Sequence, residues 1–491
     1  MMRAKHRRVA TVAALLVGSA AVARAADPTV QELQQQIQQL QAQVVDMPKV
    51  RAQLAELQAK QDQQQNSVAL AAVADTVLRD AEKRSQLLAG GGEMTAGYEN
   101  GRFFIGSSDG NFMLRPWLHM EFRGVANYRQ DGKNSVSDDT ETGFELRRMR
   151  LGFDGNLGGQ DLTYLFNWAT NRGSGSSNVS DSTGAKIGTV NNGAGGLPVL
   201  EEAFAKYHIP GTCFYIRAGQ MHDPLAHEAI VGSKYEITPE RSLQNDIFAN
   251  VDTFTQGVTF IWDPKAELRF EGGVTDGIRS ANTNFQDQPN NSIAYNYGVA
   301  ARLEYKAMGE WSDYNQITAY GNKKDLLVFG LGVDYSETGS TSCLTHAFDV
   351  QYGGANGLFL YASYIGRYTS NTLGLPNAAG VSTSFQSPAN PGQDTYEPSV
   401  LFQASYIVAK NWEPYLRYEY MCLAGTPAGS ENTVHEISGG VNYWMHGHNA
   451  KITTQLMYLP NGIPIDDSSS DVLISNGSHE WVLTTQFQLL L

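Results

Sequence analysis

Residues 111–129, NFMLRPWLHMEFRGVANYR, decide the fold class. Phe112, Leu114, Leu118, Met120, Phe122, Ala126 and Tyr128 share one parity, and Arg115, His119, Glu121, Arg123, Asn127 and Arg129 the other. Successive side chains of a strand point to opposite faces, so this pattern is an extended chain with one apolar and one polar face. A soluble sandwich alternates in the same way, but about 18 alternating residues exceed the usual length of a soluble strand. A strand that crosses a bilayer needs about 10 residues within it and projects beyond it.

The same alternation recurs near 143–156, 161–170, 200–209, 213–220, 254–262, 266–275, 294–306, 326–336, 344–352, 357–367, 397–409, 412–421, 434–445, 449–459 and 479–490. With 111–129 this makes 16 strands, an even number, which puts both ends of the barrel on the periplasmic side. Short turns at 156–160, 210–211, 263–264, 353–357, 410–411 and 447–448 alternate with long polar connections at 171–199, 221–253, 276–293, 368–396 and 460–478. Short periplasmic turns and long external loops are the outer-membrane pattern. The 307–325 connection departs from it: parity makes it a turn, and Trp311 and Tyr314 suggest a small amphipathic turn at the interface. In the last strand Trp481, Leu483, Thr485, Phe487, Leu489 and Leu491 alternate with Glu480, Thr484, Gln486 and Gln488, so a lipid-facing row runs to the final residue and closes the sheet. Trp117, Trp262, Trp412 and Trp444, near strand ends, have two readings, a place at headgroup level or ordinary packing.

Composition fits an all-β transmembrane antiparallel barrel preceded by a helical coiled-coil segment. Only 18% of residues are charged, mean hydropathy is −0.32, and no apolar run beyond the N-terminus reaches the roughly 18 residues of a spanning helix. A barrel needs no such run, because every second residue of a strand faces lipid. The net charge of −14 argues against a nucleic-acid partner. Cys213, Cys343 and Cys422 are too few and too scattered for a disulfide framework or a metal pattern.

Residues 1–25 read as a signal peptide: Arg3, Lys5, Arg7 and Arg8, then an apolar stretch from Val9 to Val22, then Ala23-Arg24-Ala25 as the cleavage site. Residues 26–92 read as a periplasmic helical stalk. Leu33, Ile37, Leu40, Val44 and Met47 step by four and three, and Val50, Leu54 and Leu57 continue after Pro48. Such a seam is buried by pairing with other helices, which reads as an oligomerisation stalk, trimeric if it matches a porin trimer, against a single helix lying below the barrel. A second helical stretch, 67–88, ends at Gly90-Gly91-Gly92. Residues 93–491 are then the barrel.

Alternation also assigns the lumen. Over the first eight strands the inward set holds Arg115, Arg123, Arg129, Arg148, Arg150, Lys206, Arg217, Arg269, Arg302 and Lys306 against Glu121, Asp154, Glu202, Glu271 and Glu304. Over the last eight it holds Arg367, Arg417 and Lys451 against Asp334, Asp349, Glu413, Glu419, Glu436 and Glu480. Water accepts such charge where lipid would not. Two readings follow: an arginine-lined anion path, in which fixed guanidinium forks lower the entry barrier for oxyanions, or charges that pair across strands and leave little net selectivity. The expected anion path is Arg115, Arg123, Arg148, Arg150, Lys206, Arg217, Arg269 and Arg302. Lys234 and Arg241 lie in the 221–253 loop, which also carries Asp223, Glu228, Glu236, Glu240, Asp246 and Asp252.

The segment Phe144-Glu145-Leu146-Arg147-Arg148-Met149-Arg150-Leu151-Gly152-Phe153 resembles the arginine-rich second strand of the phosphate-selective porin O/P family. Ala218-Gly219-Gln220-Met221-His222-Asp223-Pro224-Leu225, Glu240-Arg241-Ser242, His448-Asn449-Ala450-Lys451-Ile452 and Thr485-Gln486-Phe487 are similar too, so the resemblance spans roughly 100–491. Gly97-Tyr98-Glu99-Asn100-Gly101 after a stalk looks like a variant of that family with an N-terminal coiled coil. The resemblance implies a 16-stranded trimeric pore whose third external loop folds inward.

The expected function is therefore an outer-membrane porin, a water-filled diffusion channel for small hydrophilic solutes, with inorganic phosphate or other anions as the solutes the resemblance suggests. No cofactor and no metal are expected. His222 and His227 beside Asp223 and Glu228, and His446 and His448 beside Gly447, have ligand types but sit in ordinary loop sequence. No serine lies in a nucleophile motif, so an enzyme is set aside. The alternative reading is an outer-membrane anchor whose coiled coil binds a periplasmic layer.

Overall fold

The computed structural model describes residues 34, 35, 38, 94–99, 102–130, 139–170, 176–180, 186–191, 199–250, 254–278, 280–282, 297–338, 341–370, 394–423, 432–464, 469–475 and 477–491. The chain divides into two units, residues 1–91 and 92–491. In the first, Gln34, Gln35 and Gln38 are described and are helical. The signal peptide, the a/d seam and the Gly90–Gly92 hinge lie outside the described residues.

The second unit is a closed antiparallel barrel. It opens with a hairpin of β1 (Met94–Glu99) and β2 (Arg102–Ser107), absent from the 16-strand expectation. The barrel strands are β3 (Phe112–Arg129), β4 (Thr140–Leu157), β5 (Leu162–Ala169), β8 (Val199–His208), β9 (Phe214–His222), β10 (Phe254–Trp262), β11 (Leu268–Thr275), β12 (Tyr297–Met308), β13 (Leu326–Thr338), β14 (Thr341–Gly353), β15 (Leu358–Ser370), β16 (Thr395–Tyr406), β17 (Trp412–Cys422), β18 (Thr433–Trp444), β19 (Ala450–Leu459) and β20 (Glu480–Leu490). They are the 16 expected strands. A small separate hairpin, β6 (Ser176–Ser180) with β7 (Lys186–Asn191), lies in the 171–199 connection.

Closure follows from the C-terminal pattern. β20 pairs antiparallel with β3 from Glu480 opposite Arg129 to Leu490 opposite His119. Leu491 and Leu118 then exchange two further backbone hydrogen bonds. Where β20 runs out, β2 takes over the same edge of β3, placing Ile105 opposite Leu114 and Gly106 opposite Met113. A free sheet edge in hydrocarbon would leave rows of polar groups unsatisfied, and this register leaves none between the first and last strands. Outward-facing apolar side chains are exposed all round, among them Phe122, Phe144, Leu303, Leu331, Phe402, Leu416 and Leu483.

Two bulges change which residues face inward. Glu121 is opposite Arg148 and Phe122 opposite Leu146, so Arg147 is an extra residue in β4. Both Arg147 and Arg148 are buried in the lumen. In the same way Asn167 is opposite Glu202 and Trp168 opposite Leu200, so Glu201 joins Glu202 on the inner face. A bulge sets two residues against one and re-aims side chains, which a strict period of two cannot anticipate.

The lumen is partly filled from both ends. Residues 223–249 fold inward, as the family resemblance implied, because the segment is itself apolar: Leu225, Ala229, Ile237, Leu243, Ile247 and Phe248 are all buried. Leu225, Leu243, Ile247 and Phe248 pack with Ala347, Ile365, Met421, Val434, Met457 and Val482. At Gly332 the loop touches the wall directly, and a Cβ there would lie 1.8 Å from the Leu225 carbonyl oxygen.

The 309–325 connection corrects an expectation. It does not lie at the interface but folds into the lumen, where Tyr314, Ile317 and Thr318 are buried. Tyr314 Oη accepts from Arg302 at 3.0 Å, and Thr318 Oγ1 donates to Glu413 at 2.7 Å. Its Ile317 N–H bonds the Tyr235 carbonyl at 3.0 Å, so the two inserts meet inside the barrel. Ile317 and Ala319 share an apolar cluster with Val231 and Ile237 of the loop and Phe359, Tyr361, Leu401 and Tyr415 of the wall.

The headgroup reading fails for two of four tryptophans. Trp444 is buried and donates Nε1–H to Glu413 at 2.9 Å. Trp117 lies inward over Gly152, where a Cβ would come within 2.2 Å of the indole. Both have the parity of the polar face, which outweighs their nearness to a strand end.

Candidate functional site

The inner face of β17–β20 binds the backbone of the inward loop. Arg417 donates to the Glu240 carbonyl at 3.3 Å and to Thr238 Oγ1 at 2.7 Å. Asn442 donates to the Ile237 carbonyl at 2.7 Å, Gln486 to Pro239 at 3.3 Å, Gln488 to Lys234 at 3.1 Å, and Lys451 to Glu236. Burial, with Glu228 near it, pushes the Glu236 carboxyl up to about 8 against the pull of Arg241, Arg417 and Lys451.

Of the inward acids of β13–β20, Glu419, Asp349 and Glu413 bind the same inserts, and Glu480, Asp334 and Glu436 do not. Glu419 accepts the N–H groups of Leu243 and Gln244 at 3.2 and 2.8 Å. Asp349 accepts from His227 N–H at 3.3 Å and pairs with Arg302 at 2.7 Å. Glu413 accepts from Thr318, Ser405 and Trp444. Glu480 accepts from Asn127, Leu473 N–H and Ser475. Asp334 accepts from Ser336, and Glu436 sits opposite Glu419. A carboxylate that already holds two or three donors has little left to offer a passing ion.

On the other side, a cavity of about 450 Å³ lies between the loop and the wall of β3, β4, β5 and β8. Arg102, Arg115, Arg150, Lys206, Lys234 and Arg241 line it against Asp154, Glu201 and Glu202, so its charged lining is basic by six to three. Trp117, Tyr164, Phe204 and Phe254 add aromatic surface. Arg115 pairs with Asp154 at 2.7 Å, and Arg102 reaches the same carboxylate. Arg150 pairs with Glu201 at 2.5 Å and donates to Ser233 at 2.6 Å. Arg241 donates to the Glu228 and Val231 carbonyls at 2.9 and 2.7 Å. Lys234 Nζ lies 5.0 Å from the Trp117 ring centre and 5.2 Å from that of Tyr235. Burial, with Arg102 beside it, lowers the Lys234 ammonium to about 8, although Asp154 and Glu202 pull the other way.

Of the ten residues expected along the anion path and its loop, the cavity gathers five: Arg115, Arg150, Lys206, Lys234 and Arg241. The rest are held elsewhere. Arg123 contacts Glu145, Glu240 and Asp471, and Arg148 contacts Glu121 and Glu240. Arg217 pairs with Glu271, Arg269 with Glu304, and Arg302 with Glu304 and Asp349. Pairing across strands is thus the rule for the arginines. Sequence reasoning missed Arg102, which arrives on the hairpin, and Arg147 and Glu201, which arrive through the bulges. The double arginine at 147–148 and double glutamate at 201–202 were the available signals, since paired charges break strict alternation. Among the candidate histidines, His227 stacks on Tyr314 with ring centres 3.7 Å apart, His222 lies tilted against Phe254, and His448 bonds Gln316 at 2.8 Å.

Comparison with known proteins places the family model described as phosphate-selective porin O and P on residues 119–339. No curated protein sequence matches. Among solved structures, an anion-selective porin from Comamonas acidovorans aligns at 10% identity over 77% of this chain and 100% of its own, with a TM-score of 0.48. OmpF of Salmonella typhi, solved with daunomycin, aligns at 15% identity over 78% and 98%, with a TM-score of 0.46. OmpT of Vibrio cholerae aligns at 10% identity over 77% and 98%, with a TM-score of 0.44.

Proposed function

Taking as premise a barrel that carries the pattern of phosphate-selective porin O and P over residues 119–339, we propose that this outer-membrane channel passes small hydrophilic solutes with a preference for anions. The observation that carries the preference is the unequal fate of the two walls. Lumen acids and bases are close to balanced in number, but three acids of β13–β20, Asp349, Glu413 and Glu419, are engaged in holding the inserts. The cavity beside β3–β8 keeps a basic excess. Fixed positive charge in a narrow aqueous path lowers the entry barrier for anions and raises it for cations. Passage is diffusion and needs no bond-making chemistry.

Zero-current potential across a planar bilayer separating two KCl concentrations tests the reading. The sign for chloride-dominated current is expected; a potassium-dominated potential overturns the anion preference. Stepwise openings of the purified protein separate a channel from the anchor reading, which predicts none. The seam in the stalk at 26–92 supports an oligomer, a homotrimer by resemblance to trimeric porins, and the solute that passes in the cell is drawn from small anions, inorganic phosphate among them.

A further inference from the structure

We propose that the cavity between the inward loop and β3, β4, β5 and β8 binds aromatic carboxylates in preference to inorganic phosphate, with Lys206 and Lys234 taking the carboxylate and Trp117 and Phe204 the ring. The proposal rests on the anion preference argued above and adds the class of anion.

The first ground is which cations remain available. A tetrahedral oxyanion is best held by guanidinium forks with free parallel donors. Here Arg102 and Arg115 converge on Asp154, Arg150 is paired with Glu201, and Arg241 is spent on two backbone carbonyls. Among the described residues, no carboxylate lies within ion-pair distance of Lys206 or Lys234. Their ammonium groups rest on rings instead: Lys206 lies 5.3 Å from the Tyr215 ring centre, and Lys234 lies near Trp117 and Tyr235. An ammonium is a compact charge with three rotatable donors, and it accepts a carboxylate without demanding a fork geometry.

The second ground is the surface around those lysines. A carboxylate docked on Lys234 brings the body it carries against an aromatic wall, and the wall is rigid. The Trp117 indole is seated over Gly152, with no room for a side chain at 152. Phe204 lies under the Arg217 guanidinium at 5.2 Å. Pre-set rings favour a planar partner through edge and offset contacts. The third ground is size. About 450 Å³ falls in the range of roughly 300–1,000 Å³ typical of sites that enclose an organic ligand, and far exceeds what a lone phosphate fills.

The test is block of single-channel KCl current through the full-length protein at pH 7 by benzoate, acetate and inorganic phosphate. Benzoate is expected to halve the current at a concentration about tenfold below that of acetate or phosphate. Lys234→Met should raise the benzoate value about tenfold and leave acetate and phosphate nearly level with it. The wild-type comparison alone decides the proposal if that variant fails to insert. Benzoate no better than acetate, or phosphate better than benzoate, in a channel whose KCl potential still favours chloride, overturns this proposal and leaves the anion preference standing. A potential that favours potassium overturns both.

Discussion

Glu240 gathers three guanidiniums on one carboxylate: Arg123 at 3.1 Å, Arg147 at 2.6 Å and Arg148 at 2.6 Å. Burial alone would raise its pKa, but the three arginines outweigh burial and hold it below the ordinary carboxylate range. A depressed folded-state pKa means that this carboxylate stabilises the seated loop above its unfolded value, and that the contribution is lost as pH falls through the folded value. Glu240→Gln leaves three buried cations short of their shared partner. Breaking such a group costs about 3–5 kcal/mol, so the variant should lose its compact electrophoretic form at a lower temperature than wild type on heating in detergent. It should also move the zero-current potential further toward chloride, and a potential unchanged or shifted toward potassium would refute that role. Lys234 makes a prediction of opposite direction with pH. Its ammonium, lowered to about 8, is charged at pH 7 and largely neutral at pH 9, so anion preference should fall across that interval. Glu236, pushed up to about 8, gains negative charge over the same interval and adds to the fall. In Lys234→Met the change between pH 7 and pH 9 should shrink, leaving the part due to Glu236. A profile as steep as wild type would assign the titration elsewhere.

At the scale of elements, the two inserts make the lumen asymmetric. Parity identified 307–325 as a turn on the periplasmic side, and the length of that turn was the anomaly. Its length serves to carry Ile317 to the loop backbone and Thr318 to Glu413. Burial of Tyr314, Ile317 and Ala319 supplies the driving force, since apolar side chains in an aqueous lumen gain by packing on the loop. Replacing 312–320 by a short Gly-Ser turn should empty that part of the lumen and raise single-channel conductance roughly twofold. Unchanged conductance would mean that ions already bypass the insert. The same variant releases Glu413 from Thr318, so selectivity should move toward cations as conductance rises.

At the scale of the molecule, strand number and closure were legible from the sequence, because each depends on local repetition, whereas the inward loop was implied only by the family resemblance. A period of two over 16 segments, an even count, and an apolar row ending at Leu491 need no knowledge of tertiary contacts. Oligomerisation through the stalk is an expectation of the same kind, resting on the seam from Leu33 to Leu57, while three as the number of subunits came from the family resemblance. Leu40→Cys in the full chain tests it: under mild oxidation a parallel seam should give a disulfide-linked pair of subunits on a non-reducing gel, and a purely monomeric band would remove the seam's role. The candidate site was half legible. Parity placed Arg115, Arg150 and Lys206 on the inner face, but it could not tell Arg150, which lines the cavity, from Arg148, which is tied to Glu121 and Glu240. It also could not see Arg147 or Glu201 turning inward at the bulges. The sequence by itself determined a closed barrel and the opposite charge bias of its two walls, since both follow from which side of a strand each residue takes. Only the tertiary structure decided which of those charges stay available, because that depends on where two inserts of buried apolar residues come to rest and which carboxylates must satisfy their backbone N–H groups.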